Sequence, residues 1–453
     1  MFDLLLTGGR IVTPEGIILA DVGVANGVIA SIGSHGAGAS AAESIDISGK
    51  LLFPGLVDAH VHLREPGLTH KEDFLSGTRA AATGGVTTLL VMPTDNPWTE
   101  TPEHLAEKIE LAKGRIYVDI GLQVVAGNSG HDLARLQSLG AVSFEVFTAD
   151  VPENYRHDGV AALTAVLKRL RKSAIMLGVS PGEQSILDTA GDRGSIADFT
   201  ASRSALGEAN GVARAILAAH EAGVAIHIRQ INSRLGLETL RRLRHLADVS
   251  AETAPQNLMF TEEDYGRLGS AIKASPPFRT VDDISALAAG LRDGTVDIVA
   301  TDHAPHTPEE KSRSYKKFSD IPGGIAGLQT FLPIMLHLAD RGVIDLPDIA
   351  RLCAANPAKR FGLGDRKGRI AIGLDADFVI VEPHLETVIT NEEQHSKARI
   401  TPFAGLKIPC RIERTLLRGQ EIFANGKLAG MRAGQVLRPS SSDQASGRVG
   451  KCE

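Results

Sequence analysis

His60 and His62 stand one residue apart at the end of an apolar run in "FPGLVDAHVHLREPG" (53–67), with an arginine and a Pro-Gly turn behind them. In a strand, residues i and i+2 point to the same side, so both imidazoles converge where the strand ends. Two converging imidazoles are a beginning for a zinc site. From this spacing alone, two partly buried histidines bonded to their neighbours are an equally good reading. The segment "DIVATDHAPH" (297–306) shifts the balance. Asp302 ends a buried apolar strand, a costly place for a carboxylate unless a metal, a cation or a substrate proton compensates. With the two histidines it would complete a metal site and act as general base towards the water there. The plainer reading of Asp302 is the N-cap of the next helix. His303 and His306 follow on the outgoing loop, where substrate contact is expected rather than ligation.

The rest of the chain must bring these residues together. Its 453 residues are 43% hydrophobic and 23% charged, with a net charge of −6, which predicts a globular protein with one large domain and a smaller companion. The acidic balance and the lack of a basic stripe argue against nucleic acid as a partner and leave a small molecule as the expected one. No apolar stretch is long enough to span a bilayer and "MFDLLLTGGRIVTPEG" has no signal-peptide pattern, so a cytoplasmic protein without a membrane partner is expected. Cys353, Cys410 and Cys452 are too few and scattered for a disulfide framework or a thiolate zinc site. Any metal falls to histidines and carboxylates.

Three zones follow along the chain. Residues 1–50 read as short strands broken by turns such as "TGGRIVTPEG". Over 51–365, apolar β-branched runs ("GGVTTLLVMPT", "RIYVDIGLQVV", "AVSFEVFTA", "SAIMLGVS", "GVAIHIRQIN", "VSAETAP", "TVDIVATDHAPH") alternate with amphipathic stretches such as "VAALTAVLKRLRK". Seven or eight such repeats predict an α/β fold, a (β/α)8 TIM barrel, with an open doubly wound sheet as rival. Strand-and-turn texture returns over 366–435 ("KGRIAIGLDADFVIVEP"), so the two chain ends are expected to form one small β-sandwich domain. The polar, Gly/Ser-rich residues 436–453 are expected to be a disordered tail.

At this point "GLVDAHVHLREPG", "GGVTTLLVMPT", "KASPPFRT", "TVDIVATDHAPHTPEEK", "GGIAGLQT" and "CAANPAKRFGL" together resemble the cyclic amidohydrolases of the dihydroorotase, allantoinase and hydantoinase group. The resemblance covers nearly the whole chain. It implies a zinc-bearing (β/α)8 barrel in which a metal-bound hydroxide opens a ring amide, imide or ureide, and it implies homodimers or homotetramers.

The departures from the family pattern bear on the metals. Where two-metal members carry a carbamylated lysine on the fourth strand, "AVSFEVFT" has Glu145. Its shorter side chain could serve only if the metal or backbone moved by about 3 Å. The fifth-strand histidine has no counterpart, Gly178 being the nearest match, and Gln230 replaces the sixth-strand one; a glutamine amide is a poor zinc ligand. The resemblance places the more buried metal on the first-strand histidines, the bridging group and the aspartate. His60, His62, Glu145 and Asp302 occupy those positions, so the expected site is reduced to one metal, zinc or another divalent ion.

On the substrate side, Arg64 matches the arginine that dihydroorotases use on a carboxylate, and His306 matches a second contact. An expected asparagine is Thr94 here, with Asn96 close by, and another is Ser275. Gly324 lies in "IPGGIAGLQT", which lacks the Lys-Ser/Thr of a phosphate cradle and is read as a loop whose backbone approaches a ring. This set favours an anionic cyclic amide. The plainer reading of Arg64 is a structural ion pair. His227 is expected in the core or behind the site, while Glu183 follows the altered "GVSPG" loop, from which reaching the vacated second-metal position is the minority reading. Two other functions remain: a non-catalytic scaffold or assembly partner, favoured by the missing ligands, and a one-metal heterocycle deaminase, disfavoured by the absent fifth-strand histidine.

Overall fold

A computed structural model describes residues 1–34, 40–128, 130, 132–173, 175–191 and 194–440. Eight parallel strands run in chain order around a barrel: β1 (Leu56–Val61), β2 (Val86–Val91), β3 (Asp119–Val125), β4 (Ser143–Phe147), β5 (Met176–Ser180), β6 (Ile226–Ile228), β7 (Val249–Thr253) and β8 (Ile298–Val299). Each of the runs of β-branched and apolar residues is a strand, almost entirely buried, as a parallel strand covered on both faces requires. The doubly wound alternative is set aside by the closing seam. There the backbone N–H of His62 donates to the carbonyl of His303 at 2.8 Å, and the Asp58 carboxylate accepts the backbone N–H of Thr301 at 3.0 Å and its hydroxyl at 2.5 Å. Asp58 thus fastens the first strand to the last, and burial pushes its carboxyl up to about 7 against those hydrogen bonds.

Local signals start the helices between strands. Asp73 caps Phe74–Thr83 and Thr280 caps Val281–Arg292, each in a reciprocal capping box that satisfies free N–H groups of the first turn. The apolar faces of these helices enter the main core against the strands.

Strands from both chain ends form a second, nine-stranded sheet with its own core, including Leu6, Ile11, Val22, Leu52, Phe378 and Leu416. Leu51–Pro54 pairs antiparallel with Phe378–Glu382 and so joins the amino-terminal strands to the carboxy-terminal ones. Where this sheet meets the barrel, the ammonium of Lys367 lies 2.6 Å from Asp119, 2.9 Å from Asp375 and 2.7 Å from Asp377. Within the stretch expected as a tail, Val436 bridges to Ile120 and Leu437 is buried, so 436–440 continue the fold; residues 441–453 lie outside the described residues. No helix among the described residues is long and apolar enough to cross a membrane.

Candidate active site

His60 and His62 end β1, Thr94 follows β2, Gln230 follows β6 and Asp302 follows β8, so all reach the carboxyl-end mouth of the barrel. The Nε2 atoms of His60 and His62 each lie 3.3 Å from Asp302 Oδ1. These three form a group of ligand atoms compatible with one metal ion. The other ring nitrogens are already engaged. His60 Nδ1 donates to Glu252 Oε1 at 2.5 Å, and since a carboxylate only accepts, a proton sits on Nδ1 and, in the neutral ring, Nε2 is the nitrogen left for a ligand. His62 Nδ1 meets the Thr94 hydroxyl at 2.7 Å. Burial pushes the His62 imidazole down to about 3, with Arg64 adding to the effect against Asp302, so this ring is neutral and able to ligate. His60 is raised: burial works to lower it, but Asp302 and Glu252 together outweigh that. Gln230 is not a ligand; its amide donates to Asp302 Oδ2 at 2.5 Å and fixes the carboxylate so that Oδ1 faces the imidazoles.

Glu145, expected as a fourth ligand, has other partners. The three-residue group does not include it, and its carboxylate accepts instead from Arg229, Oε1 from Nη2 at 2.6 Å and Oε2 from Nε at 3.1 Å, and from the Ser143 hydroxyl at 2.6 Å. A buried guanidinium is the stronger claim on a carboxylate that would otherwise be uncompensated. The same arrangement accounts for Gly178: a Cβ there would lie 2.4 Å from both Glu145 oxygens, so no fifth-strand histidine fits beside this carboxylate. Arg229 also donates to Glu252 Oε2 at 3.0 Å, and that oxygen accepts from His227 Nε2 at 3.0 Å. Burial would raise the Glu252 carboxyl, yet Arg229 and His60 hold it well below the usual range. His227 thus stands behind the site, as its sequence position predicts.

The group opens on a cavity of 280 Å³ also lined by Arg64, Ser275 and Gly324. Arg64 makes no ion pair with a carboxylate among the described residues; its Nη2 lies 3.4 Å from His306 Nε2 and its buried Nε has no partner. The structural ion pair considered for it is therefore not formed. His306 does not line the cavity. It braces Arg64 from behind, 3.1 Å from the Gly323 carbonyl, and burial with Arg64 and Lys71 pushes it down to about 3. His303 is turned away from the cavity, its Nε2 on Glu72 at 3.2 Å. Asn96 is exposed and does not line the cavity, its backbone N–H tied to the Pro66 carbonyl at 3.2 Å. Glu183 lines the cavity but pairs with Arg214 at 3.1 Å. On the far wall, Arg203 grips Asp150 in a fork at 2.7 and 2.8 Å, and Ser275 donates to the same carboxylate at 3.2 Å.

Four cavity residues other than glycine hold positive φ: Arg64 (60°), Asp150 (60°), Gln230 (53°) and Asp302 (48°). Each such conformation costs about 1–3 kcal/mol, and its gathering at one cavity is what a site with imposed side-chain directions looks like. Gly324 (φ 146°) has a different cause: a Cβ there would strike the Ala304 carbonyl oxygen at 2.1 Å.

A (β/α)8 barrel with polar groups converging at the carboxyl ends of its strands defines a class of enzymes that work from that face. Residues 51–422 match the model of the amidohydrolase family, and the chain belongs to that family. It is 36% identical to an allantoinase of Rubrobacter xylanophilus, over 97% of this chain and 98% of the relative, and 35% identical to an allantoinase of Deinococcus radiodurans, over 97% and 99%. Among solved structures it resembles the L-hydantoinase of Arthrobacter aurescens, with a TM-score of 0.91, 28% identity and coverage of 96% and 99% of the two chains. A D-hydantoinase superposes with a TM-score of 0.89 at 30% identity, covering 97% and 99%.

Proposed function

We propose that this protein is a hydrolase that opens a cyclic ureide or imide by breaking a ring C–N bond, with one divalent metal, zinc, held by His60, His62 and Asp302. One observation carries the reading: two imidazole nitrogens and a carboxylate oxygen meet at one point, their far sides already hydrogen-bonded, at the mouth of a cavity. Two nitrogens and an oxygen suit zinc, and three protein ligands leave a position open, as catalytic sites do. When bound, such a cation supplies Lewis acidity and eases the loss of a proton from water near neutral pH.

The chain's own residues do the rest. Asp302 accepts the proton of the attacking water as oxygen adds to the ring carbonyl carbon. The proton passes to the ring nitrogen as the C–N bond breaks, and a ring-opened acid leaves. Gln230 keeps the carboxylate aimed throughout, while Arg64 offers a guanidinium to an anionic or carbonyl substituent. A cavity of 280 Å³ is at the small end for ligand sites and fits a single ring with a short substituent. The relatives named as allantoinases and hydantoinases support a ureide ring. The scaffold reading loses its motive, since Glu145 and Gln230 have specific partners where the expected ligands are missing.

The test is a ring-opening assay on allantoin, hydantoin and a carboxylated hydantoin, following the ring-opened acid and free ammonia separately. Ring opening without ammonia supports the proposal. Ammonia as first product supports the deaminase, and full metal occupancy without turnover returns the scaffold.

A further inference from the structure

Arg229 is a fully buried arginine with every N–H direction of its guanidinium used. Nε and Nη2 take the two Glu145 oxygens, Nη2 also takes Gln123 Oε1 at 2.7 Å, and Nη1 takes the Ala59 carbonyl at 2.9 Å and Glu252 Oε2 at 3.0 Å. Five oxygens from β1, β3, β4 and β7 therefore form a cage around one positive charge. An all-oxygen cage with two carboxylates is also what a hard divalent cation takes. Below it, the Phe361 ring lies 5.2 Å from the guanidinium carbon and closes the cage with an apolar face.

The charge balance gives this cage a consequence. Glu145, Glu252 and Asp302 are the carboxylates that face Arg229 or the His60 group; Arg229 pairs with Glu145 and Glu252, and Asp302 lies against the two histidines, while Asp58 on β1 is tied to Thr301 instead. One divalent cation on the His60 group balances these three carboxylates together with Arg229. A second would leave two positive charges uncompensated where burial makes them costly.

We propose that Arg229 is a resident cation: its guanidinium fills an oxygen-lined cage that would otherwise admit a second metal ion, and so limits the site to one divalent cation. The inference rests on the one-metal reading above and explains why that reading needs no modified lysine. Glu145 serves as counter-ion and leaves the His60 group as the place for the metal.

Elemental analysis after loading with zinc and manganese tests it, with folding checked by circular dichroism. Wild type is expected to hold one metal per chain, Arg229→Met two, and the double variant Arg229→Met/Glu145→Gln one again. Arg229→Lys keeps the charge and is expected to stay at one. A folded Arg229→Met that stays at one, or a second equivalent in Arg229→Lys, overturns the inference alone. A wild-type value other than one overturns the one-metal reading and the inference with it. Should Arg229→Met fail to fold, the isosteric Glu145→Gln decides by zinc competition against a chromophoric chelator. Removing one interior charge should weaken zinc about tenfold or more, and adding Arg229→Met should restore it. Unchanged zinc affinity in Glu145→Gln, or no restoration, overturns the proposal.

Discussion

Two buried ionic clusters stand in different parts of this molecule. Where the barrel meets the small sheet, Lys367 is surrounded by Asp119, Asp375 and Asp377, and Arg418 adds a second cation on Asp119 at 2.5 Å. Asp119 and Asp377 also accept backbone N–H groups of Gln435 and Arg418. This cluster is closed; its charges face one another, and it joins two sheets. At the barrel mouth, Arg229, Glu145, Glu252 and His227 are equally closed, but the outermost members are not. The Nε2 atoms of His60 and His62 face Asp302 beside the cavity, and Arg64 faces the cavity without a carboxylate partner among the described residues. Buried charge alone therefore does not mark a site. Unfinished bonding beside a cavity does.

That contrast can be broken by substitution. Asp302→Asn should lower kcat for ring opening by about 10³-fold or more, since it removes both a ligand and the base; steady-state kinetics on the best ureide would show it, and activity near wild type would place the base elsewhere. At the other cluster, Lys367→Met should cost about 3–5 kcal/mol of stability, because several carboxylates lose a buried partner. Urea unfolding measures that loss, and kcat/KM of the folded fraction should stay unchanged. A catalytic defect without a stability defect would reverse the roles given to the two clusters. Arg64→Ala should raise KM about 10-fold to 100-fold for an anionic ureide, the worth of one or two charge-assisted hydrogen bonds, and less for uncharged hydantoin. Metal content should not change. Thr94→Val, which removes only the hydrogen bond behind His62, should weaken zinc about tenfold in a chelator competition, and no change there would mean the His62 ring is held by packing alone.

Parts of this contrast are legible in the sequence. The barrel is, because each parallel strand is a short β-branched run and the helices between carry their caps. His60, His62 and Asp302 are, because a histidine pair at a strand end and a carboxylate closing an apolar strand are local signals. Arg229 gives the same signal, a charge in "GVAIHIRQIN", and Glu252 gives it in "VSAETAP", but their meaning lies in partners 84 and 192 residues away, Glu145 and His60. Nothing local says that Glu145 turns to a guanidinium rather than a metal. The left-handed backbone at Arg64 and Gln230 is equally hidden, since neither residue type announces positive φ. Asn96 misleads in the opposite way, lying near Thr94 in sequence while its loop carries it to the exposed surface.

On the reading proposed above, His60, His62 and Asp302 hold one divalent metal that serves ring opening. Zinc titrated into chelator-stripped protein, with allantoin or hydantoin turnover followed at each addition, tests it most directly. Activity should rise in proportion to zinc and level at one equivalent per chain. A break at two equivalents, or no turnover at any zinc level, would contradict it.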